Sequence, residues 1–224
     1  MEDLLSGIHQ FHTQVFAREK DFYSKLVAGQ HPSTLFIGCS DSRVDPSIIT
    51  QSNLGELFVL RNAGNIVPCH GASSGGEAAT IEYAVSVLGV KDIVICGHTG
   101  CGALKALVTP GSTDKLPLVR KWLDHAESTR RILEENYSHL DGANLVKAAI
   151  KEHVLVQIEN LQTHPSVAAR LQRGELTLHA WIYRMEKGDI LAYSTEDGRF
   201  STLSGLNPKD AKKRKVANVR KGKK

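Results

Sequence analysis

The sequence predicts an α/β fold with a mainly parallel central sheet that is flanked by helices. Three short segments are almost entirely apolar, which is typical of strands buried on both faces: Thr34–Gly38, Leu57–Leu60 and Ile93–Gly97. Helical segments separate these strands, and such alternation favours a parallel sheet covered by helices. With 224 residues, the chain is long enough for one domain with a substantial core.

Residues 1–28 predict a helical arm ahead of the first strand, because apolar side chains recur there every three or four positions. Such an amphipathic arm is typical of a segment that packs on a neighbouring element or on a partner subunit. Further helices are expected over residues 77–88, 103–108 and much of 115–172. Breaks in the last of these stretches are expected near Gly142 and at Pro165.

The last strands are predicted at Leu176–Tyr183 and Ile190–Tyr193, paired as a hairpin around Lys187-Gly188. No internal repeat or linker divides the chain, so residues 1–206 are interpreted as a single domain. Residues 207–224 are interpreted as a basic, disordered tail.

The net charge of +4 is unevenly placed. Nine Lys or Arg residues and one acid, Asp210, lie between Lys209 and Lys224, and the remaining 19 basic and 23 acidic residues give the body about −4. The high pI therefore reflects the tail and does not indicate a nucleic-acid-binding surface on the domain.

The sequence shows neither a membrane span nor a secretory signal. No apolar run approaches the ~20 residues that a membrane helix needs. The acidic N-terminus, Met1-Glu2-Asp3, lacks the pattern of a secretory signal, which predicts a cytoplasmic protein. Its four cysteines, at positions 39, 69, 96 and 101, are therefore expected as thiols, and metal binding or catalysis becomes the leading interpretation.

Two clusters of chemically active residues follow two of the predicted strands. CSDSR, residues 39–43, follows the first strand, and HTGC, residues 98–101, follows the strand at Ile93–Gly97. Because neighbouring parallel strands end at one edge of the sheet, Cys39, His98 and Cys101 are expected to meet there. Two thiolates and an imidazole suit Zn²⁺, and three protein ligands leave the fourth position open for water, as in catalytic zinc sites.

Asp41 and Arg43 accompany this ligand set. A carboxylate two residues from a ligand can reach the metal or its water, and Arg43 can hold Asp41 through a bidentate fork. Each residue alone has a structural alternative: a buried cysteine, a hydrogen-bonded core histidine or a surface salt bridge. The combination at two strand ends favours a functional site. Neither Cys69 nor Cys96 belongs to such a combination of residues, and both are interpreted as structural.

The two motifs resemble those of the β-carbonic anhydrases, Cys-x-Asp-x-Arg followed by His-x-x-Cys. Family-like segments extend the resemblance over about residues 1–200, with plant and cyanobacterial variants nearest. They include Gly29–Pro32, Gly55–Val59, Arg61–Asn65 and Ile81–Val85.

The resemblance implies a β-carbonic anhydrase fold and a zinc lyase that reversibly hydrates carbon dioxide to bicarbonate and a proton. One zinc per subunit is implied at Cys39, His98 and Cys101, with zinc-bound hydroxide oriented by the Asp41–Arg43 dyad. On the substrate side, the resemblance implies that the amide of Gln30 reaches the substrate, often across a dimer interface. It also implies that Phe58 and Tyr83 line a narrow apolar pocket and that the backbone N–H of Gly102 helps to orient the substrate. A homodimer or dimer-based oligomer is also implied, with the arm embracing a partner.

Some members of the family adopt an inactive closed form in which the aspartate, here Asp41, binds the zinc. That form is linked to a bicarbonate site with a tryptophan three residues before the first ligand cysteine. Phe36 occupies that position here, which favours an open site without the regulatory pocket, although Gly38 resembles the closed type.

Two alternative functions remain at this point. Carbonyl sulfide or carbon disulfide is linear like carbon dioxide, so a hydrolase for either would use the same site. A non-enzymatic zinc or nucleic-acid-binding protein is suggested by the run Lys212–Lys215, but the tail lacks aromatic residues for base stacking. Cyanobacterial relatives can carry C-terminal extensions that dock into carboxysomes, and the present tail is much shorter.

Overall fold

Within residues 1–203, which the computed structural model describes, six strands form one sheet. The strands are β1 (Thr34–Cys39), β2 (Leu57–Asn62), β3 (Asp92–His98), β4 (Thr177–Arg184), β5 (Asp189–Ser194) and β6 (Arg199–Thr202). Their order is β2-β1-β3-β4-β5-β6; the first four are parallel, and β5 and β6 extend the sheet antiparallel. The predicted mainly parallel sheet is confirmed, as is the hairpin between β4 and β5.

Helices connect the parallel strands and flank the sheet. They are α1 (Glu2–Gln10), α2 (Lys20–Val27), α3 (Pro46–Thr50), α4 (Gly76–Ser86), α5 (Gly102–Val108), α6 (Pro117–Leu123), α7 (Glu127–Asn136), α8 (Gly142–Gln162) and α9 (Pro165–Gln172). Helices α8 and α9 begin at the predicted breaks, Gly142 and Pro165. Pro165 stands at the first helical position, where its missing N–H costs no hydrogen bond.

The main core lies between one face of the sheet and helices α4, α8 and α9. Leu35 and Ile37 of β1 are fully buried there, together with Ile158 of α8. Burial of each such side chain contributes roughly 1.5–3 kcal/mol. Helix α8 approaches closely at Gly97, where an added Cβ would come 2.7 Å from a methyl group of Val154. A smaller cluster on the opposite face includes Phe36, packed edge-on against Trp181.

The N-terminal arm is helical, as predicted, but it is not one continuous α-helix. Wider helical turns at Phe11–Phe16 follow α1, and the helix is interrupted before α2 begins. No residue of α1 or α2 is buried, and Leu4 and Ile8 are each about two-thirds exposed. This apolar stripe is thus uncovered in a single chain.

Among residues 1–203, no helix combines the length and apolarity required to span a membrane. The predicted basic tail, residues 207–224, lies outside the described residues.

Candidate metal centre

The three predicted metal ligands meet at the carboxyl edge of the sheet. Cys39 ends β1 and His98 ends the neighbouring parallel strand β3, while Cys101 directly precedes α5. All three side chains are buried, and their ligand atoms lie within 4.8 Å of one another. Parallel pairing therefore brings together residues that are 59 positions apart in sequence.

The ring of His98 is oriented so that one nitrogen faces the two sulfurs. Its Nδ1 lies 3.0 Å from the carbonyl oxygen of Thr99, to which it donates as the N–H tautomer. Its Nε2 is buried and has no hydrogen-bond partner among the described residues. A fully buried nitrogen without a partner is costly unless another group binds its lone pair.

These residues fit a zinc ion. A tetrahedral ion with Zn–S near 2.3 Å and Zn–N near 2.0 Å separates its ligand atoms by about 3.5–3.8 Å, within the spread of this group. The free Nε2 lone pair of His98 points to the same conclusion. All four cysteines are free thiols, so no disulfide competes for the ligands.

The environment favours a thiolate at Cys39. The hydrogen bond from the Cys101 thiol is the largest effect, and the Gly64 N–H acts in the same direction, so the pKa of Cys39 lies well below its usual value. The shared proton and burial raise the pKa of Cys101. A cation at this position would replace that proton and allow both sulfurs to be anionic.

Asp41 and Arg43 form a bidentate pair beside the ligands. Arg43 Nε and Nη2 donate to the two carboxylate oxygens of Asp41 at 2.9 and 2.8 Å, and its backbone N–H donates at 3.0 Å. These bonds hold the pKa of Asp41 well below its usual range. Asp41 Oδ2 also lies 4.0 Å from Nε2 of His98, so the ionised carboxylate borders the ligand group.

Arg61 and Gly64 contribute to the site but were not assigned a role from the sequence. Arg61 Nε donates to the carbonyl of Cys39 at 2.9 Å, and its Nη2 donates to the carbonyl of Asp41 at 2.7 Å. The N–H of Gly64 lies 3.4 Å from Cys39 Sγ. Their position at the end of β2, the strand beside β1, was the available signal.

The comparisons with known proteins agree with this geometry. The carbonic anhydrase family model matches residues 34–190, most of the chain. A carbonic anhydrase of Synechocystis is 49% identical over 215 residues, which cover 94% of this chain and 78% of that protein. The solved structure of the β-carbonic anhydrase CcaA is 50% identical, with a TM-score of 0.89, covering 92% of this chain and 94% of that one.

This chain belongs to the β-carbonic anhydrase family. A more distant solved member, one of two β-carbonic anhydrases from the ascomycete Sordaria macrospora described as tetrameric, is 28% identical. It has a TM-score of 0.75 and covers 91% of this chain and 96% of that one.

In this β-carbonic anhydrase, the predicted substrate residues do not surround the predicted metal ligands of the same chain. Phe58 pairs with Leu35 and lies four positions before the partner of Cys39, which is about 13 Å along the strand. Its ring lies 6.0 Å from that of Tyr83, so these two do lie together. Gln30 precedes β1 and is exposed at the opposite end of that strand from Cys39. Only Gly102, at the start of α5, adjoins a ligand.

Helix α8 adds a buried histidine behind the metal centre. His153 is 1% exposed; its Nε2 lies 2.9 Å from the carbonyl oxygen of Gly64, and its Nδ1 lies 3.1 Å from the hydroxyl of Thr129. Burial lowers the pKa of His153 to about 4, although the Gly64 carbonyl and the Cys39 thiolate both act to raise it. The imidazole is therefore neutral in the folded protein near pH 7.

His153 is expected to make folding sensitive to mild acid. Its pKa is about 6.5 in an unfolded chain and about 4 here, so as pH falls from 6.5 towards 4 the unfolded chain gains a proton that the native state lacks. The free energy of unfolding should fall by up to about 3 kcal/mol across this pH window. Urea unfolding in excess zinc should show this loss in the wild type and not in His153→Asn. If the free energy of unfolding falls equally with pH in both proteins, the prediction is wrong.

Proposed function

We propose that this chain catalyses the reversible hydration of carbon dioxide to bicarbonate and a proton, with one Zn²⁺ held by Cys39, His98 and Cys101. The observation that carries the proposal is the buried Nε2 of His98, which faces two cysteine sulfurs and has no other partner among the described residues. Membership of the carbonic anhydrase family supports the same reaction.

Zinc bound at this position would supply the Lewis acidity that activates water for attack on a carbonyl carbon near neutral pH. Asp41 stays ionised because Arg43 donates to both of its oxygens, and it thus accepts a hydrogen bond from the attacking water. That hydrogen bond would fix the direction in which the water's lone pair points. Arg61 holds the backbone on both sides of Ser40, which keeps Asp41 in register with Cys39.

The substrate side of the site is proposed to come from a second copy of the chain. Phe58 and Tyr83 form an apolar pair, and Tyr83 is 45% exposed, but they lie far from the ligands of their own chain. A homodimer would bring Gln30, Phe58 and Tyr83 of one copy to the metal centre of the other. The tetrameric relative from Sordaria macrospora supports an oligomeric form.

The arm offers a test of this dimer. Ile8→Glu places a charge in the exposed apolar stripe of α1, which the dimer would bury. Because a buried unpaired charge costs several kcal/mol, the variant is expected to be monomeric, with at least about tenfold lower activity. Gln10→Glu adds the same charge to the opposite face of that helix and should change neither property. Sedimentation velocity and CO₂ hydration measure both; a dimeric, active Ile8→Glu would contradict the assignment.

A stopped-flow CO₂ hydration assay on purified protein, paired with metal quantification, tests the proposed function directly. We expect one zinc per chain and a kcat that rises from pH 6 to 9, because two thiolates reduce the acidity of zinc relative to three neutral histidines. Protein without stoichiometric zinc, or faster turnover of carbonyl sulfide than of carbon dioxide, would overturn the proposal.

A further inference from the structure

Helix α8 carries a row of buried polar side chains where a core helix would ordinarily present apolar ones. His153, Gln157 and Asn160 are spaced by four and three residues, so they lie on one face of the helix. Their exposures are 1%, 0% and 7%. Buried polar groups destabilise a core unless they are hydrogen-bonded, so their partners indicate what the row does.

The partners are backbone groups of the segment between β2 and α4. His153 bonds the carbonyl of Gly64, as described above, and Gln157 Oε1 accepts from the N–H of Val67 at 2.7 Å. Asn160 Nδ2 donates to the carbonyl of Val67 at 2.8 Å. Side chains on successive turns of α8 thus bond backbone groups that have no partner within this irregular segment.

The segment has a backbone conformation that needs such support. Gly64 and Asn65 have φ values of +85° and +48°, both in the left-handed region. At Gly64, an added Cβ would lie 3.0 Å from the Cβ of Ala103. A larger residue here would therefore need both a strained φ and a small shift of α5.

Gly64 connects this row to the metal centre. Its carbonyl faces His153, and its N–H faces Cys39 Sγ at 3.4 Å. The two groups belong to successive peptide planes that meet at the Gly64 Cα, so releasing the carbonyl would free the φ and ψ angles that aim the N–H at the sulfur. A hydrogen bond to a thiolate ligand draws charge from the sulfur, and such outer contacts tune metal affinity and reactivity.

We propose that His153 is a positioning residue: by holding the Gly64 carbonyl, it directs the Gly64 N–H at Cys39 and so moderates the charge that this sulfur donates to the metal. The inference rests on the proposed zinc site. The tautomer follows from the contacts, since Nε2–H donates to Gly64 and Nδ1 accepts from the Thr129 hydroxyl. Gln157 and Asn160 hold the same segment one and two turns further along.

Two substitutions separate the contacts of the ring. In His153→Asn, the amide replaces Nδ1 and keeps a partner for Thr129 but does not reach Gly64. In His153→Gln, the longer side chain places its amide near the position of Nε2 and retains a donor to Gly64. His164→Asn is the matched control, because His164 is also buried and bonds a backbone carbonyl, that of Pro68, at 3.0 Å.

The test uses cobalt(II)-loaded protein, whose thiolate-to-metal charge-transfer band reports on the sulfur ligands, together with zinc affinity and steady-state kinetics. His153→Asn is expected to move the band to lower energy, weaken zinc binding about tenfold and lower kcat about tenfold at unchanged KM. His153→Gln and His164→Asn should keep the wild-type band.

A purely structural row would give a different result. His153→Asn and His164→Asn would then lose similar stability, and both would keep the wild-type band and zinc affinity, which would overturn the inference. Should His153→Asn not fold, Thr129→Val takes its place, because loss of the hydroxyl leaves Nδ1 with only the long contact to Gln157 Nε2 at 3.4 Å. A band moved to lower energy in that variant supports the inference, and an unchanged band overturns it. Wild-type protein that binds neither cobalt nor zinc would instead refute the proposed metal site.

Discussion

Replacing Asp41 with asparagine is expected to lower kcat for carbon dioxide hydration about 100-fold or more, while the protein keeps its zinc. The effect lies at the upper end of the range for groups that act beside a metal ligand. The new amide would be neutral and its NH₂ end would meet the Arg43 guanidinium, so the bidentate pair and the anionic acceptor at 4.0 Å from His98 would both be lost. Stopped-flow CO₂ hydration and zinc content measure the two outcomes.

The matched control is Asp45→Asn, four residues along the same segment. Asp45 caps α3 by accepting from the N–H of Ile48 at 3.0 Å. Asparagine caps helices as well as aspartate does, so neither stability nor turnover should change appreciably. Wild-type turnover in Asp41→Asn would refute the role assigned to Asp41, and loss of zinc would place Asp41 among the ligands instead.

Replacing Cys39 with alanine is expected to abolish stoichiometric zinc and with it CO₂ hydration. Because the metal binds the folded state and not the unfolded chain, its loss also removes stability, about 4 kcal/mol when free zinc exceeds Kd by 1,000-fold. The buried Nε2 of His98 would remain without a partner. Metal analysis and unfolding with and without added zinc check this result, and a chelator should reproduce it in the wild type.

Cys96→Ala serves as the control for the loss of a buried sulfur. Cys96 is buried, as Cys39 is, but it packs with Phe36 and Val94 on the opposite face of the sheet. Its replacement is expected to cost about 1 kcal/mol through the small cavity, with zinc and activity retained. Equal loss of zinc in both variants would show that the assignment of Cys39 is wrong.

Much of the fold was predictable because its signals are local. The apolar runs at β1 and β3 are buried strands, and Gly142 and Pro165 begin α8 and α9 as expected. The run at β2 is a strand too, but its predicted burial is wrong: β2 lies at the end of the sheet order, and Val59 is 41% exposed. Strand β6, at Arg199–Thr202, was missed. It is four residues long with Phe200 as its one large apolar side chain, so it forms through pairing with β5 and carries no alternation of its own.

The site was predictable in composition and only partly in arrangement. Ligands that follow two strands of a parallel sheet must meet at its carboxyl edge, and Cys39, His98 and Cys101 do so. The substrate residues could not be placed in the same way. Phe58 lies near the start of β2, whereas Cys39 of β1 pairs with Asn62 at the end of β2. The distance between Phe58 and Cys39 therefore depends on the register of the two strands.

By itself, the sequence determined which atoms are available to a metal and at which strand ends they lie, because residue type and local periodicity carry that information. Only the tertiary structure decided how those atoms are oriented. The Gly64 N–H faces Cys39 while His153, 89 residues further along, holds the Gly64 carbonyl. Such bonds run from side chains to distant backbone groups, and any backbone peptide offers the same donor and acceptor, so no residue pattern marks them in advance.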